Sequence, residues 1–152
     1  VILGVGDAKY EEAFRYYADR NPGKFSAKLY FDEPLSRRIY AGADALLVPS
    51  RFEPCGLTQM MAMRYGTLPV VRETGGLKDT VEPYNQYEGT GTGFSFANFN
   101  AHELLSAIDL SLSAYKDKKA WKKLCENAMN KDFSWHAAAK EYRKLYKELL
   151  QS

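Results

Sequence analysis

Residues 44–72 read DALLVPSRFEPCGLTQMMAMRYGTLPVVR, and the succession of patterns in this stretch decides the fold class. DALLVP at 44–49 is a nearly continuous apolar run of strand length, as expected where helices cover both faces of a sheet. A dense turn, SRFEPCGL, follows. Leu57, Met60, Met61 and Arg64 then mark a helix that Gly66 closes. TLPVVR at 67–72 reads as the next strand. Strand, helix and strand in that order predict a βαβ unit.

The same alternation extends upstream. VILGVGD is a short apolar run ending in a glycine turn, so a buried strand is expected to run into a helix. Tyr10, Ala13, Phe14 and Tyr17 recur at helical spacing among Glu11, Glu12, Arg15 and Asp19, and Asn21-Pro22-Gly23 ends the pattern. KFSAKLYF at 24–31 alternates as a strand. Asp32 is placed to cap a helix over 33–43 with Leu35 and Ile39 inward.

Downstream, TGGLKDTV at 74–81 predicts a glycine turn into a short helix or loop, and 83–93 a polar surface excursion. FSF at 94–96 is a further short strand. Asn100 and Glu103 form a capping box ahead of a helix with Leu104, Ile108, Leu112 and Tyr115 inward. Another helix is expected over 118–129. Ser134 caps the last one, where Trp135, Ala138, Tyr142, Leu145, Tyr146 and Leu149 trace an apolar stripe. The whole pattern predicts an α/β fold with a parallel sheet flanked by helices.

The 152 residues fit one ordinary domain. With 45% hydrophobic, 14% aromatic and 26% charged residues, the composition excludes a disordered or collagen-like chain. A net charge of +2 lacks the basic excess of a nucleic-acid binder, so no nucleic acid is expected as partner. No apolar run approaches the ~20 residues needed to span a bilayer, and no signal-peptide pattern opens the chain. No membrane association and a cytoplasmic location are therefore expected. Cys55 and Cys125 are too few and too distant for a disulfide framework, and two histidines add no ligand cluster. Neither a metal nor a cofactor is expected.

Ligands of open parallel sheets bind beyond the carboxyl ends of the strands, which leaves three turns as candidates. GVGD lacks the third glycine of a dinucleotide fingerprint and the acidic residue expected about 20 positions later. The turn is therefore read as a tight strand-to-helix connection, in which Gly4 and Gly6 allow close packing, ahead of a dinucleotide site. SRFEPCGLTQ is richer in polar groups than a plain connection requires. If its helix starts near Gly56, the free N–H groups of Gly56, Leu57 and Thr58 favour an anion, and Thr58 adds a hydroxyl. Glu53 would repel a phosphate placed on it but accepts hydrogen bonds from sugar hydroxyls, so the turn suggests a nucleotide sugar. On spacing alone, Glu53 serves equally as a carboxylate at the helix N-terminus. Cys55 has no neighbouring histidine to make it a nucleophile. The third turn, RETGGLKDT, sets Gly75 and Gly76 where backbone can approach a ligand, or where Thr74 caps a helix.

The run PSRFEPCGLTQMMAMRYGTLPVVRETGGLKDTV closely resembles the donor-site core of bacterial glycogen synthases and the related plant starch synthases. The likeness continues through GDAKYEEAF, FDEPLSRRIYAGAD, GTGFSF and FSWHAAAKEYRKLY. It implies a retaining glucosyltransferase of the GT-B arrangement, in which two Rossmann-like domains face a cleft. Such enzymes move glucose from ADP-glucose, or UDP-glucose in some, to the nonreducing 4-hydroxyl of an α-1,4-glucan. By the same resemblance Glu53 contacts the donor glucose and supports positive charge at its anomeric carbon. Cys55, Gly56, Leu57 and Thr58 hold glucose hydroxyls and diphosphate, Phe31 stacks on the base, and Thr74, Gly75 and Gly76 line the cleft. Related transferases carry a second glutamate eight positions after the first, where it contacts the ribose. Here that position is Met61.

The resemblance also sets boundaries. Residues 1–133 correspond to part of the nucleotide-sugar-binding domain, its first strand apparently missing, and 134–152 to a helix that crosses toward the N-terminal domain. The family's GRLxxQKG-like segment, whose arginine and lysine neutralise the departing diphosphate, does not occur in these residues. The chain is thus expected to be a fragment of a glycogen synthase, inactive alone. A non-catalytic nucleotide- or glucan-binding module, and a transferase with another acceptor, are the alternatives. In the usual strand order 3-2-1-4-5-6 the missing strand is central. The open edges at 1–5 and 44–49 are then expected to pair directly or to draw in a second copy of the chain.

Overall fold

The computed structural model describes residues 1–151 as two compact units, one over Val1–Ala43 and the other from Asp44 onward. In the first unit, β1 (Ile2–Leu3) and β2 (Ala27–Lys28) pair in parallel, Ile2 opposite Ala27 and Leu3 opposite Lys28. The helices α1 (Ala8–Arg20) and α2 (Glu33–Gly42) follow them. Both strands are shorter than the sequence patterns suggested. Phe14, Tyr17 and Phe25 form the unit's aromatic cluster, with ring centroids 6.3 and 6.4 Å apart. Tyr10 and Tyr17 are largely exposed, so the inner face of α1 is carried by Ala13 and Phe14. Asp32 caps α2 as expected, accepting from the Leu35 N–H at 2.8 Å.

The second unit is built on β3 (Ala45–Val48), β4 (Leu68–Arg72) and β5 (Phe94–Phe96), all parallel and in that order. The strands thus fall into two sheets, β1–β2 and β3–β4–β5. Helices α3 (Thr58–Tyr65), α4 (Gly75–Thr80), α5 (Ala101–Lys116) and α6 (Lys118–Met129) pack against β4, whose Leu68, Val70 and Val71 are fully buried. β4 matches the apolar strand covered on both faces. β3 does not match it: as an edge of its ladder, it leaves Leu47 50% exposed. Phe94 stacks on Trp121 at 6.1 Å between centroids, and Tyr84 and Tyr115 close edge-on around that pair.

Two helix faces differ from the periodicity. α3 buries Gln59, Ala62 and Met63 and leaves Leu57, Met61 and Arg64 exposed. Apolar residues lie nearly all round this helix, so spacing alone did not select its inner face. α5 exposes Leu112 and buries the small side chains of Ala107, Ser111 and Ala114. The excursion at 83–93 is pinned rather than loose. Asn127 donates to Gly91 O at 3.1 Å, and Glu82 pairs with Lys131. Finally α7 (Trp135–Gln151), capped by the Ser134 hydroxyl on the Ala137 N–H, buries none of its residues, and Trp135 is 88% exposed. No helix among the described residues is long and apolar enough to cross a membrane.

The capping box of α5 gives a measurable acid response. Asn100 Oδ1 accepts from the Glu103 N–H, while the Glu103 carboxylate reaches back to the N–H groups of Asn98 (2.7 Å) and Ala97 (3.1 Å). The Asn98 backbone hydrogen bond, with that residue's amide, holds the Glu103 carboxyl below the ordinary glutamate range. Glu103 is therefore more easily protonated in the unfolded chain than in the folded one. Its contribution is complete above the ordinary pKa of about 4.3 and is lost as pH falls through the lower folded value. The difference in urea midpoint between the natural protein and Glu103→Gln is expected to be constant near neutrality and to shrink below about pH 4. A difference that stays constant down to acid unfolding would contradict this origin.

Candidate functional site

Because β3 and β4 are parallel and adjacent, the turns that follow them emerge at the same edge of the sheet. The turn after β3 carries Glu53, Cys55, Gly56 and Leu57; the turn after β4 carries Thr74, Gly75 and Gly76. They are packed backbone to backbone. A Cβ on Gly75 would lie 1.9 Å from Glu53 O, and one on Gly76 would lie 1.8 Å from Cys55 O. Only hydrogen fits at either position. Gly75 also holds φ at +46°, a left-handed conformation that glycine adopts without strain. These two glycines act here through the backbone they let approach.

Glu53 is half-buried, with Ser50 Oγ donating to its Oε2 at a long 3.5 Å. The loop is held by main-chain groups. Arg72 donates from its guanidinium to Arg51 O at 3.2 Å while facing the Phe99 ring at 5.7 Å. Just beyond β4, Glu73 Oε1 accepts from Ser95 Oγ of β5 at 2.7 Å. Helix α3 begins at Thr58, two residues later than the sequence suggested, with Leu57 at the N-cap position and no side-chain cap. The N–H groups of the first turn therefore have no side chain of their own to satisfy them. Cys55 is a free, exposed thiol. Thr74 stands at the N-cap position of α4, but its hydroxyl makes no capping bond.

Phe31 belongs to the first unit, in the loop between β2 and α2, where its ring is 86% exposed. GVGD also lies in that unit. There Glu11 Oε1 accepts from the Gly6 N–H at 3.1 Å and pairs with Arg15. A carboxylate sits where a dinucleotide phosphate would need to be, which fits a plain strand-to-helix turn. Among the described residues no group of three or more His, Cys, Asp or Glu side chains could hold a metal ion.

Two residues of the site escaped sequence reasoning. Gln59, fully buried on α3, donates from Nε2 to Gly56 O and to Thr80 Oγ1, both at 3.0 Å. Thr80 Oγ1 in turn donates to Gly76 O at 2.5 Å. Gln59 Oε1 is buried without a partner, and such an orphan costs roughly 1–3 kcal/mol. The available signal was a single amide in the run LTQMMAM, readable only once its face was known to be buried. A groove of about 630 Å³ runs along the other side of α3, between Leu57, Met61 and Tyr65 and the segment 128–134. Of the residues singled out from the sequence as a site, it contains only Leu57.

A parallel α/β unit with its polar turns gathered at the carboxyl edge is the layout in which open sheets of this kind bind ligands, and comparison with known proteins supplies the family. The chain belongs to the glycosyl transferases group 1 family, whose pattern matches residues 1–130. It is 53% identical over 150 residues to a glycogen synthase of Lachnospira eligens, covering 98% of this chain and 31% of that protein. A glycogen synthase of Streptococcus sanguinis is 56% identical over 151 residues, covering 99% and 32%. Among solved structures, the catalytic domain of starch synthase IV from Arabidopsis thaliana, bound to ADP and acarbose, superposes with a TM-score of 0.80. Its identity is 34%, over 98% of this chain and 31% of that one. Sucrose-phosphate synthase from Thermosynechococcus elongatus follows at 0.66 and 26%, over 99% and 38%. The chain thus spans about a third of the length of these glycogen synthases. Its parallel strands flanked by helices match the C-terminal domain of a GT-B glycosyltransferase.

Proposed function

We propose that this chain is the donor-binding part of a glycogen synthase, which transfers glucose from ADP-glucose to the nonreducing end of an α-1,4-glucan with retention. The observation that carries the reading is the Glu53–Thr58 turn locked onto the Gly75–Gly76 turn, in a chain more than half identical to glycogen synthases. ADP and acarbose in the starch synthase neighbour support a nucleotide donor and a glucan acceptor.

In this reading Glu53 faces the donor glucose and stabilises positive charge developing at its anomeric carbon. The Gly56 and Leu57 N–H groups and the Thr58 hydroxyl receive the diphosphate and glucose hydroxyls, at the positive end of α3. Cys55 and Thr74 border the sugar, and Phe31 stacks on the base. Met61 offers the ribose no hydrogen bond. Residues 1–133 act as the nucleotide-sugar part, and α7 with its exposed stripe crosses to the domain that binds glucan. A cytoplasmic location goes with this role, and the unpaired strand edges fit self-association of the isolated piece.

Turnover by the full-length enzyme with ADP-glucose or UDP-glucose and glycogen tests the reading, with the anomeric configuration of the product as second readout. Retaining transfer from ADP-glucose is expected; binding without turnover would overturn it in favour of a binding module. The isolated chain makes a separate prediction. It keeps the α3 N-terminus but lacks the family's cationic pair, so calorimetric titration with ADP is expected to give a Kd above about 1 μM and no turnover. Submicromolar binding would show that the cationic pair contributes little.

A further inference from the structure

We infer that Gln59 is the positioning residue of this site: its buried amide orients the Cys55–Gly56 and Gly56–Leu57 peptides so that their N–H groups are presented to the donor diphosphate. The inference rests on the proposed function for the identity of the ligand and on the geometry for everything else.

The amide is flanked by acceptors. Nε2 serves Gly56 O and Thr80 Oγ1 at 3.0 Å each, and Cys55 O at 3.4 Å shares its hydrogens. In a trans peptide the C=O and the following N–H point in opposite directions, and no cis bond occurs among the described residues. A carbonyl of Cys55 turned toward Gln59 therefore turns the Gly56 N–H away from it. The Gly56 carbonyl does the same for the Leu57 N–H. Gly56 is itself shaped by this contact: its φ is +70°, and a Cβ there would lie 2.6 Å from Gln59 Oε1. Through Thr80, whose hydroxyl donates to Gly76 O, the same amide ties the turn after β3 to the turn after β4.

Gln59 Oε1 is buried and unpaired; leucine or methionine would carry no orphaned acceptor of its own but would leave the Gly56 carbonyl without its side-chain donor. What an apolar residue cannot do is hold two consecutive carbonyls inward. Glutamate would reverse the interaction, placing acceptors against acceptors.

The test uses the full-length enzyme carrying Gln59→Met, Gln59→Glu, Thr80→Val or Thr80→Ser. Misplacement of catalytic donors by about 1 Å costs on the order of 10²-fold, so Gln59→Met is expected to lower kcat/KM for ADP-glucose by about that factor. Gln59→Glu falls further, Thr80→Val by roughly 5- to 10-fold, and Thr80→Ser retains near-normal turnover. KM for glycogen stays within about two-fold throughout, which a general loss of structure would not spare. Folded Gln59→Met enzyme with normal kcat/KM for ADP-glucose would overturn the inference. Should it fail to fold, normal kcat/KM in Thr80→Val would do the same. If the natural enzyme proves unable to transfer glucose, the functional reading fails on its own, and the rise in melting temperature caused by ADP becomes the readout. Loss of that rise in Gln59→Met upholds the positioning role, and an unchanged rise refutes it.

Discussion

In the full-length enzyme, Glu53→Gln is expected to lower kcat by about 10³-fold, equivalent to roughly 4 kcal/mol of transition-state stabilisation, while the fold stays intact. The two halves of this expectation have separate grounds. Retaining transfer develops positive charge on the donor sugar, and an amide in place of a carboxylate removes the opposing negative charge. The fold is spared because Glu53 holds its loop through its main chain: its carbonyl packs on Gly75, while its carboxylate has only the long contact to Ser50. Paired measurements of kcat and melting temperature check both halves. A variant with kcat within about 10-fold of the natural enzyme would remove Glu53 from the catalytic role.

Gly76→Ala attacks the same site from the backbone side and is expected to cost about 3–5 kcal/mol of stability. Its Cβ would meet Cys55 O at 1.8 Å and Cys55 C at 2.5 Å. Both partners are main chain, so no rotamer change relieves the clash, and the two turns must separate. Gly75→Ala adds unfavourable φ to a 1.9 Å contact with Glu53 O. Gly89 supplies the control, since its φ is +66° but nothing lies within 4 Å of an added Cβ. Gly89→Ala is expected to cost only about 1 kcal/mol, the backbone term alone. Urea unfolding of the three variants separates strain from steric collision. If Gly76→Ala and Gly89→Ala unfold at the same midpoint, the close packing of the two turns has no energetic weight.

Much of the molecule was legible before its structure. The caps at Asp32, Asn100 and Ser134 are local devices, each satisfying the N–H three residues on, and each is found where its sequence signal stands. Strand β4 and helices α5 and α6 follow from hydrophobic period and length. The faces of α3 and α5 were less legible. In α3 the apolar residues run nearly all round, and burial of Gln59 reflects the carbonyls of Cys55 and Gly56, which are set by the turn and not by hydrophobicity. In α5 the buried positions Ala107, Ser111 and Ala114 are small, and small residues carry a weak periodic signal.

Sequence by itself determined the order of elements, their caps, the family, and the two polar turns that follow parallel strands. All of these depend on contacts within a few residues or on motifs that are continuous in the chain. Tertiary structure decided how the turns work together. Gly75 and Gly76 lie some 20 residues beyond Glu53 and Cys55, yet the parallel pairing of β3 with β4 brings their backbones into contact closer than any side chain permits. Gln59 reads as one more polar residue on a helix until Thr80, 21 positions later, is seen to accept its hydrogen bond and relay it to Gly76. Such contacts arise between backbone groups whose positions are set by sheet pairing, and residue identity along the chain does not encode that pairing locally.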